Sequence, residues 1–205
     1  MTTRTNDGTN VEVREKEGFF RAYLHCFRLK TKDIAANAII AALYIALTYA
    51  FYFMSYGQFQ CRISEFLTLL CFFNPNYAIG LTIGCALSNI YSIQAGFLGP
   101  MDILFGSLAT LLSCLLMPLT RNLFAASLLP GLFNGFILSA EFTFILGPTD
   151  GSALSVYYWV QFGWILLGEL VAVSVLGYML FMAMAKKVGG FYNVINAKLN
   201  TEFKF

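Results

Sequence analysis

The chain has 205 residues, of which 58% are hydrophobic and 12% charged, whereas ordinary soluble domains carry roughly 25% charged residues. The net charge of +2 and the absence of a basic stripe argue against a nucleic-acid-binding protein. Several apolar stretches of about 18 residues or more contain no Asp, Glu, Lys or Arg, which is long enough to cross a bilayer. The composition therefore predicts an integral membrane protein.

The N-terminal region is polar and basic. Residues 1–18 predict a disordered cytoplasmic tail. Residues 19–33 place aromatic and apolar side chains at helical spacing among Arg and Lys, which predicts an amphipathic helix on the anionic inner leaflet; a frayed basic tail is the alternative. The first 33 residues contain no short apolar stretch of the kind that marks a cleavable signal peptide, so we expect this end to stay cytoplasmic.

Six membrane spans follow, which predicts an all-α bundle over residues 34–186 and a C-terminal cytoplasmic tail over 187–205. The charge-free run from Phe66 to Met101 is too long for one helix, and Asn74-Pro75-Asn76 breaks it. Gly99-Pro100 opens the fourth span, and residues 147–155 predict an outer loop. The predicted spans are 34–54, 60–73, 76–93, 99–120, 122–145 and 157–185.

The basic residues indicate an orientation. With six spans, both termini and the loops near residues 75 and 121 lie on one side, and twelve of the 13 Lys and Arg residues fall there. Arg62 is the exception. The positive-inside rule makes that side cytoplasmic. We therefore predict a multi-pass protein of a bacterial cell membrane with both termini inside.

Polar residues within the spans form the candidate site. A charge at the bilayer centre costs about 2.5–3.5 kcal/mol, so such residues need partners or water. Arg62 and Glu65 are three residues apart, and Asn134 and Glu141 are seven apart, so each pair shares a helical face. The topology predicts that all of them converge on a cavity open to the outside. The candidate substrate-binding residues are Arg62, Glu65, Asn89, Asp102, Asn134, Glu141, Gln161 and Glu169.

The charge balance of this set favours binding of a ligand or cation, because Glu65, Glu141 and Glu169 face a single Arg. The alternative is that these groups only join helices by hydrogen bonds, which applies above all to Asn89 and Asp102. Aromatic residues at the same end predict an interfacial belt, and those in the first loop and at the start of span six could stack on a flat ring. They are Tyr49, Tyr52, Tyr56, Phe59, Tyr91, Phe97, Tyr157, Tyr158, Trp159 and Trp164.

Span one carries small residues at helical spacing. Ala38, Ala42 and Ala46 recur every four residues, which lets another helix approach closely. Internal packing and a docking surface for a partner membrane protein both explain this pattern.

Several functions lack their sequence signals. The chain has no G-x-x-x-x-G-K-[ST] phosphate loop, and His25 is its one histidine. The five cysteines lie singly, mostly in apolar runs, and predict core residues rather than disulfides or a metal site. We therefore predict no enzymatic activity, no cofactor and no metal. A proton-coupled carrier remains an alternative because of the intramembrane acids, although no repeat of broken helices is visible.

Three stretches carry a family resemblance: NAIIAALYIALTY, QCRISEFLTLLCFFNPNYAIGLTIGCALSNIYS and LGPMDILFGSLATLLSCLL. They resemble the QueT family of substrate-binding S components of energy-coupling-factor (ECF) transporters. The resemblance implies capture of a queuosine precursor, a 7-deazaguanine, from outside the cell. It also implies docking through span one on a transmembrane coupling protein and two ATPases, followed by toppling to release the cargo inward. Cobalamin or another vitamin is the alternative cargo.

Overall fold

The structure is a computed structural model that describes residues 18, 21–27, 29–55, 61–94, 100–120, 122–147, 154–188 and 190–199. Within these residues it is helical, with turns and no strand. Residues 21–26 form a helix inside the predicted amphipathic segment. The bundle then consists of α1 Thr31–Ala50, α2 Ile63–Phe73, α3 Tyr77–Gln94, α4 Met101–Leu116, α5 Leu123–Leu146 and α6 Leu154–Lys187, followed by a short α7, Phe191–Val194.

Four helices of the described chain are long and apolar enough to cross a membrane: α1, α4 with its 3₁₀ extension to Leu119, α5 and α6. By contrast, α2 and the apolar part of α3, Tyr77–Ile90, are shorter. The structure thus confirms the helical fold of the described residues and gives it four candidate membrane spans. Six complete crossings and the orientation of the termini stay predictions.

The short helix α2 occupies the middle of the bundle. It packs against α1, α3, α4, α5 and the middle of α6. Its residues Ile63–Leu69 form a 3₁₀ helix that continues as an α-helix over Leu70–Phe73. A 3₁₀ run of this length is uncommon, because its hydrogen bonds are poorly aligned. Leu69, Phe72 and Phe73 are fully buried, so surrounding helices rather than lipid cover this segment.

The other helices form an arc around α2. Helix α1 packs against α3, and α3, α4, α5 and α6 pack in chain order. A Cβ atom at Gly80 would lie 2.5 Å from the carbonyl oxygen of Asn37, so α1 and α3 could not approach so closely with another residue there. The amide N–H of Gly80 donates to Asn37 Oδ1 at 2.7 Å and ties the two helices together.

Helix α6 changes its winding in the middle. Leu154–Glu169 and Tyr178–Lys187 are α-helical, whereas Leu170–Gly177 form a π-helix. A Cβ atom at Gly177 would lie 2.8 Å from Cβ of Phe66, so this glycine permits close packing on α2. Such π segments are often found at functional sites, and this one begins directly after Glu169.

One end of the bundle, here called the terminal end, holds residues 21–27, 29–30, 74–76, 117–120, 122 and 190–199. Predicted as part of a tail, residues 190–199 pack there: Phe191 stacks edge-on against Phe73, and the amide N–H groups of Lys198 and Leu199 both donate to the Phe73 carbonyl at 2.8 Å. The Tyr23 hydroxyl donates to the Leu115 carbonyl at 3.0 Å. Chain segments from both ends of the sequence therefore cover this face.

Candidate functional site

All eight predicted site residues are buried, each with at most 4% of its surface exposed. They come from α2 through α6 and the residue preceding α2, and they lie toward the end of the bundle opposite the terminal end. The predicted outward opening of this site stays a prediction, because residues 56–60, 95–99 and 148–153 lie outside the described residues.

An ion pair lies in the part of the site furthest from the terminal end. Arg62 Nη2 lies 3.6 Å from Asp102 Oδ2, and the Arg62 Nε–H donates to the Ser55 carbonyl at 3.4 Å. Asn89 Nδ2 donates to the Asp102 carbonyl at 2.9 Å, which joins α3 to the first turn of α4. Gly106 keeps this junction open, because a Cβ atom there would lie 2.7 Å from Asn89 Nδ2.

Glu65 lies deeper, at the centre of the bundle. Its Oε1 accepts hydrogen bonds from the Tyr44 hydroxyl at 2.5 Å and from the Thr110 hydroxyl at 3.2 Å. Its Oε2 has no hydrogen-bond partner among the described residues. One oxygen of this carboxylate thus ties α1, α2 and α4 together, while the other remains available.

A second pair of polar residues joins α5 to α6. Asn134 Nδ2 donates to Glu169 Oε1 at 3.1 Å. Within the described chain, Glu169 Oε2 and Asn134 Oδ1 find no hydrogen-bond partner. Since Glu169 is eight residues after Gln161 in the same helix, it lies about 12 Å closer to the terminal end.

Glu141 differs from the other carboxylates. It is 2% exposed, yet neither of its oxygens has a hydrogen-bond partner in the part of the chain that the structure describes. Gln161 Oε1, on the neighbouring α6, is in the same situation. Burying an ionised carboxylate without hydrogen bonds costs free energy. Glu141 is therefore the described site residue that most clearly needs a hydrogen-bond donor or a cation from a ligand.

These acidic groups interact with one another as a single cluster. The carboxylate of Glu141 interacts electrostatically with Asp102 and Arg62, and that of Glu169 with Glu65 and Arg62. Hereafter the acidic cluster means Arg62 with Glu65, Asp102, Glu141 and Glu169. Four carboxyl groups and one guanidinium leave an excess of three acids. A ligand rich in N–H donors, a cation or bound protons would relieve this excess.

Several partners in the site are not among the predicted residues. Tyr44 and Thr110 bind Glu65, and Cys85 Sγ lies 3.7 Å from Arg62 Nη1. The three-residue spacing of Arg62 and Glu65 predicts a shared helical face, but it does not reveal the ion pair that Arg62 forms with Asp102. The sequence does contain a signal for Tyr44. Asn37, Tyr44 and Thr48 are polar residues at helical spacing within an apolar span, and all three lie on the buried face of α1.

Of the predicted aromatic residues, Tyr56, Phe59 and Phe97 lie outside the described residues, as does the side chain of Tyr91. Among the others, both exposed and inward-packed rings occur. Trp159 and Trp164 are 59% and 46% exposed, as expected of side chains in an interfacial belt. Tyr157 instead packs inward against the cluster formed by Leu138, Phe142 and Ile165. Phe142 follows Glu141 directly in α5. The Tyr157 ring therefore packs against the same stretch of α5 that carries the unpartnered carboxylate.

The comparisons with known proteins point to one family. Residues 34–186 match the family model described as QueT transporter. The queuosine precursor transporter QueT of Lactococcus lactis subsp. cremoris (strain MG1363) is 44% identical over 84 residues, which are 40% of this chain. The match covers 47% of that relative, so the chain spans about half of its length. No solved structure matches the chain.

Proposed function

Because the chain belongs to the QueT transporter family, we propose that it binds a queuosine precursor, a 7-deazaguanine, in the acidic cluster for transport across the membrane. The observation that carries this proposal is the buried Glu141, whose two oxygens both lack a hydrogen-bond partner among the described residues. A substrate that donates two adjacent N–H groups would satisfy both oxygens at once.

The chemistry of a 7-deazaguanine fits this requirement. Its guanine-like edge presents a ring N–H beside an exocyclic amino group, and acidic side chains accept such donors from nucleobases. Two parallel hydrogen bonds to an ionised carboxylate are also stronger than neutral ones. Gln161 Oε1 supplies a further acceptor nearby, and Glu65 Oε2, Glu169 Oε2 and Asn134 Oδ1 supply others deeper in the bundle. Tyr157 offers a ring on which the flat heterocycle can stack.

We further propose that the chain is the substrate-binding S component of an ECF importer. In this role it captures substrate from outside and docks on a transmembrane coupling protein and two ATPases. The exposed Ala38, Ala42 and Ala46 of α1 support the docking step, because small residues allow a partner helix to approach closely. The absence of a phosphate-loop motif from the sequence supports the need for separate ATPases.

Calorimetric titration of the detergent-purified chain tests the substrate. We expect a 7-deazaguanine to bind, and Glu141→Gln to weaken its binding by more than about tenfold, or 1.4 kcal/mol. An analogue without the exocyclic amino group should bind the native protein more weakly, yet should lose little further affinity in the variant, because both changes remove the same hydrogen bond. Asp33→Asn, a buried carboxylate at the terminal end, is the matched control and should leave affinity unchanged.

The same titration separates the alternatives. Tight binding of cobalamin or another vitamin, with no binding of 7-deazaguanines, would replace the proposed cargo. Unchanged affinity in both Glu65→Gln and Glu141→Gln would make the acidic cluster a structural feature that joins helices.

A further inference from the structure

A second cavity, distinct from the acidic cluster, lies at the terminal end. It has a volume of about 590 Å³ and is lined by Ala22, His25, Cys26, Lys30 and Lys198. These residues come from the 21–26 helix, the residue before α1 and the C-terminal segment. Three separate parts of the chain thus build one cavity, and two of them contribute a lysine.

The two lysines are held in different ways. Lys198 Nζ lies 3.1 Å from Asp33 Oδ1, and its side chain is still 25% exposed. Asp33 is itself satisfied, since it also accepts from the Lys30 N–H at 3.1 Å and from Asn196 Nδ2 at 3.3 Å. Lys30 is exposed at the start of α1, where the helix dipole adds positive potential. Lys30 therefore adds an exposed positive charge to the cavity, while Asp33 fixes Lys198 in position and offsets its charge.

An apolar surface borders this basic cavity. Leu24, Leu29 and Ile34 are 55%, 47% and 57% exposed. Leu29 and Ile34 also line the start of an apolar groove of about 290 Å³ between α1 and α3. Leu29 lines the groove and the next residue, Lys30, lines the basic cavity, so the two surfaces adjoin. A free inorganic anion would contact the basic cavity alone. A phospholipid would contact both surfaces, with its headgroup in the cavity and an acyl chain on the apolar border.

We propose that this cavity binds the phosphodiester headgroup of an anionic phospholipid, with an acyl chain lying along Leu29 and Ile34. Lys30 and Lys198 would approach the phosphate, and His25 could donate a hydrogen bond. Basic pockets beside membrane helices recognise anionic headgroups in this way, with about 1 kcal/mol for each Lys or Arg near the surface. The inference does not depend on the identity of the transported substrate, because the cavity lies at the opposite end of the bundle.

Native mass spectrometry of the full chain in a neutral detergent tests the proposal. We expect dioctanoyl-phosphatidylglycerol to bind more tightly than dioctanoyl-phosphatidylcholine, and Lys30→Gln to weaken the phosphatidylglycerol complex by about fivefold, the equivalent of one surface charge. Lys187→Gln, which removes an exposed lysine at the end of α6 outside the cavity, is the matched control. It should change the affinity less than about twofold on the same scale.

A second variant separates the cavity from diffuse charge attraction. Ala22→Phe fills part of the cavity without changing its charge and should also weaken phosphatidylglycerol binding. An equal loss in Lys30→Gln and Lys187→Gln, or no loss in Ala22→Phe, would overturn the proposal. Inorganic phosphate should not displace the lipid at millimolar concentration. If it does, the cavity takes the free anion, and the lipid assignment is wrong.

Discussion

Gly106 lies beside the junction of Asn89 and Asp102, one turn after Asp102 in α4. A Cβ atom there would lie 2.7 Å from Asn89 Nδ2 and 3.6 Å from Arg62 Nη1, and Asn89 is fully buried. Gly106→Ala therefore forces Asn89 away from the Asp102 carbonyl. Loss of a buried hydrogen bond costs about 1–3 kcal/mol, which exceeds the gain of about 0.8–1 kcal/mol in helix propensity.

We expect Gly106→Ala to lower the free energy of unfolding by about 1 kcal/mol, measured by denaturant titration in mixed micelles. Gly163→Ala is the matched control, because the Cβ atom of an alanine at this α6 position would meet nothing within 4 Å. That variant should gain up to about 1 kcal/mol from helix propensity alone. Equal stabilisation in both variants would show that Asn89 and Asp102 do not form a rigid junction.

The polar residues also show what the sequence can predict of a site. Buried charge in a span is costly, so Arg62, Glu65 and Glu141 are recognisable from their positions alone. Their partners cannot be recognised from sequence positions, because Arg62 forms an ion pair with Asp102 and Glu65 accepts a hydrogen bond from Tyr44. These contacts depend on how α1, α2 and α4 are arranged around one another, and spacing within a single helix does not contain that information.

At the scale of the element, α1 has two faces with different roles. Asn37, Ala41, Tyr44 and Thr48 are buried against the bundle. Ala38, Ala42 and Ala46 are exposed on the opposite face, as the proposed docking surface requires. A large side chain on the exposed face would keep a partner helix away while leaving the acidic cluster intact.

We expect Ala42→Leu to leave substrate affinity within about twofold of native, since the change is remote from the ligand, and to reduce uptake by cells that contain the coupling proteins. Ala125→Leu, at an exposed alanine of α5, is the matched control and should leave uptake unchanged. Loss of substrate binding in Ala42→Leu would count against a docking role, and equal loss of uptake in both variants would indicate a general folding defect.

The sequence predicts the positions of the helices but not their local winding. The apolar runs and the break at residues 74–76 locate the helical segments of the bundle to within a few residues. Neither the 3₁₀ winding of α2 nor the π-helix Leu170–Gly177 has a sequence signal. The two segments pack against each other, and Gly177 would clash with Phe66 if it carried a Cβ atom. The unusual winding thus coincides with a contact between helices, which the sequence of either helix alone does not show.

At the scale of the whole molecule, an acidic cluster with one arginine is compatible with two kinds of transporter. In an S component the excess carboxylates accept the substrate, and energy comes from ATP hydrolysed elsewhere. In a proton-coupled carrier the same carboxylates bind and release protons during transport. The two mechanisms differ in what the chain can do alone, because a carrier completes its cycle without a partner.

Reconstitution into liposomes therefore tests the mechanism. We expect the chain alone to bind a 7-deazaguanine but not to accumulate it, even with a proton gradient of either direction. Accumulation should begin when the coupling protein and its two ATPases are added with ATP, and a non-hydrolysable ATP analogue should abolish it. A protonophore should have no effect on this ATP-driven uptake. Uptake by the chain alone that a protonophore abolishes would instead identify Glu65, Glu141 and Glu169 as candidate proton carriers, because no other energy source would be present.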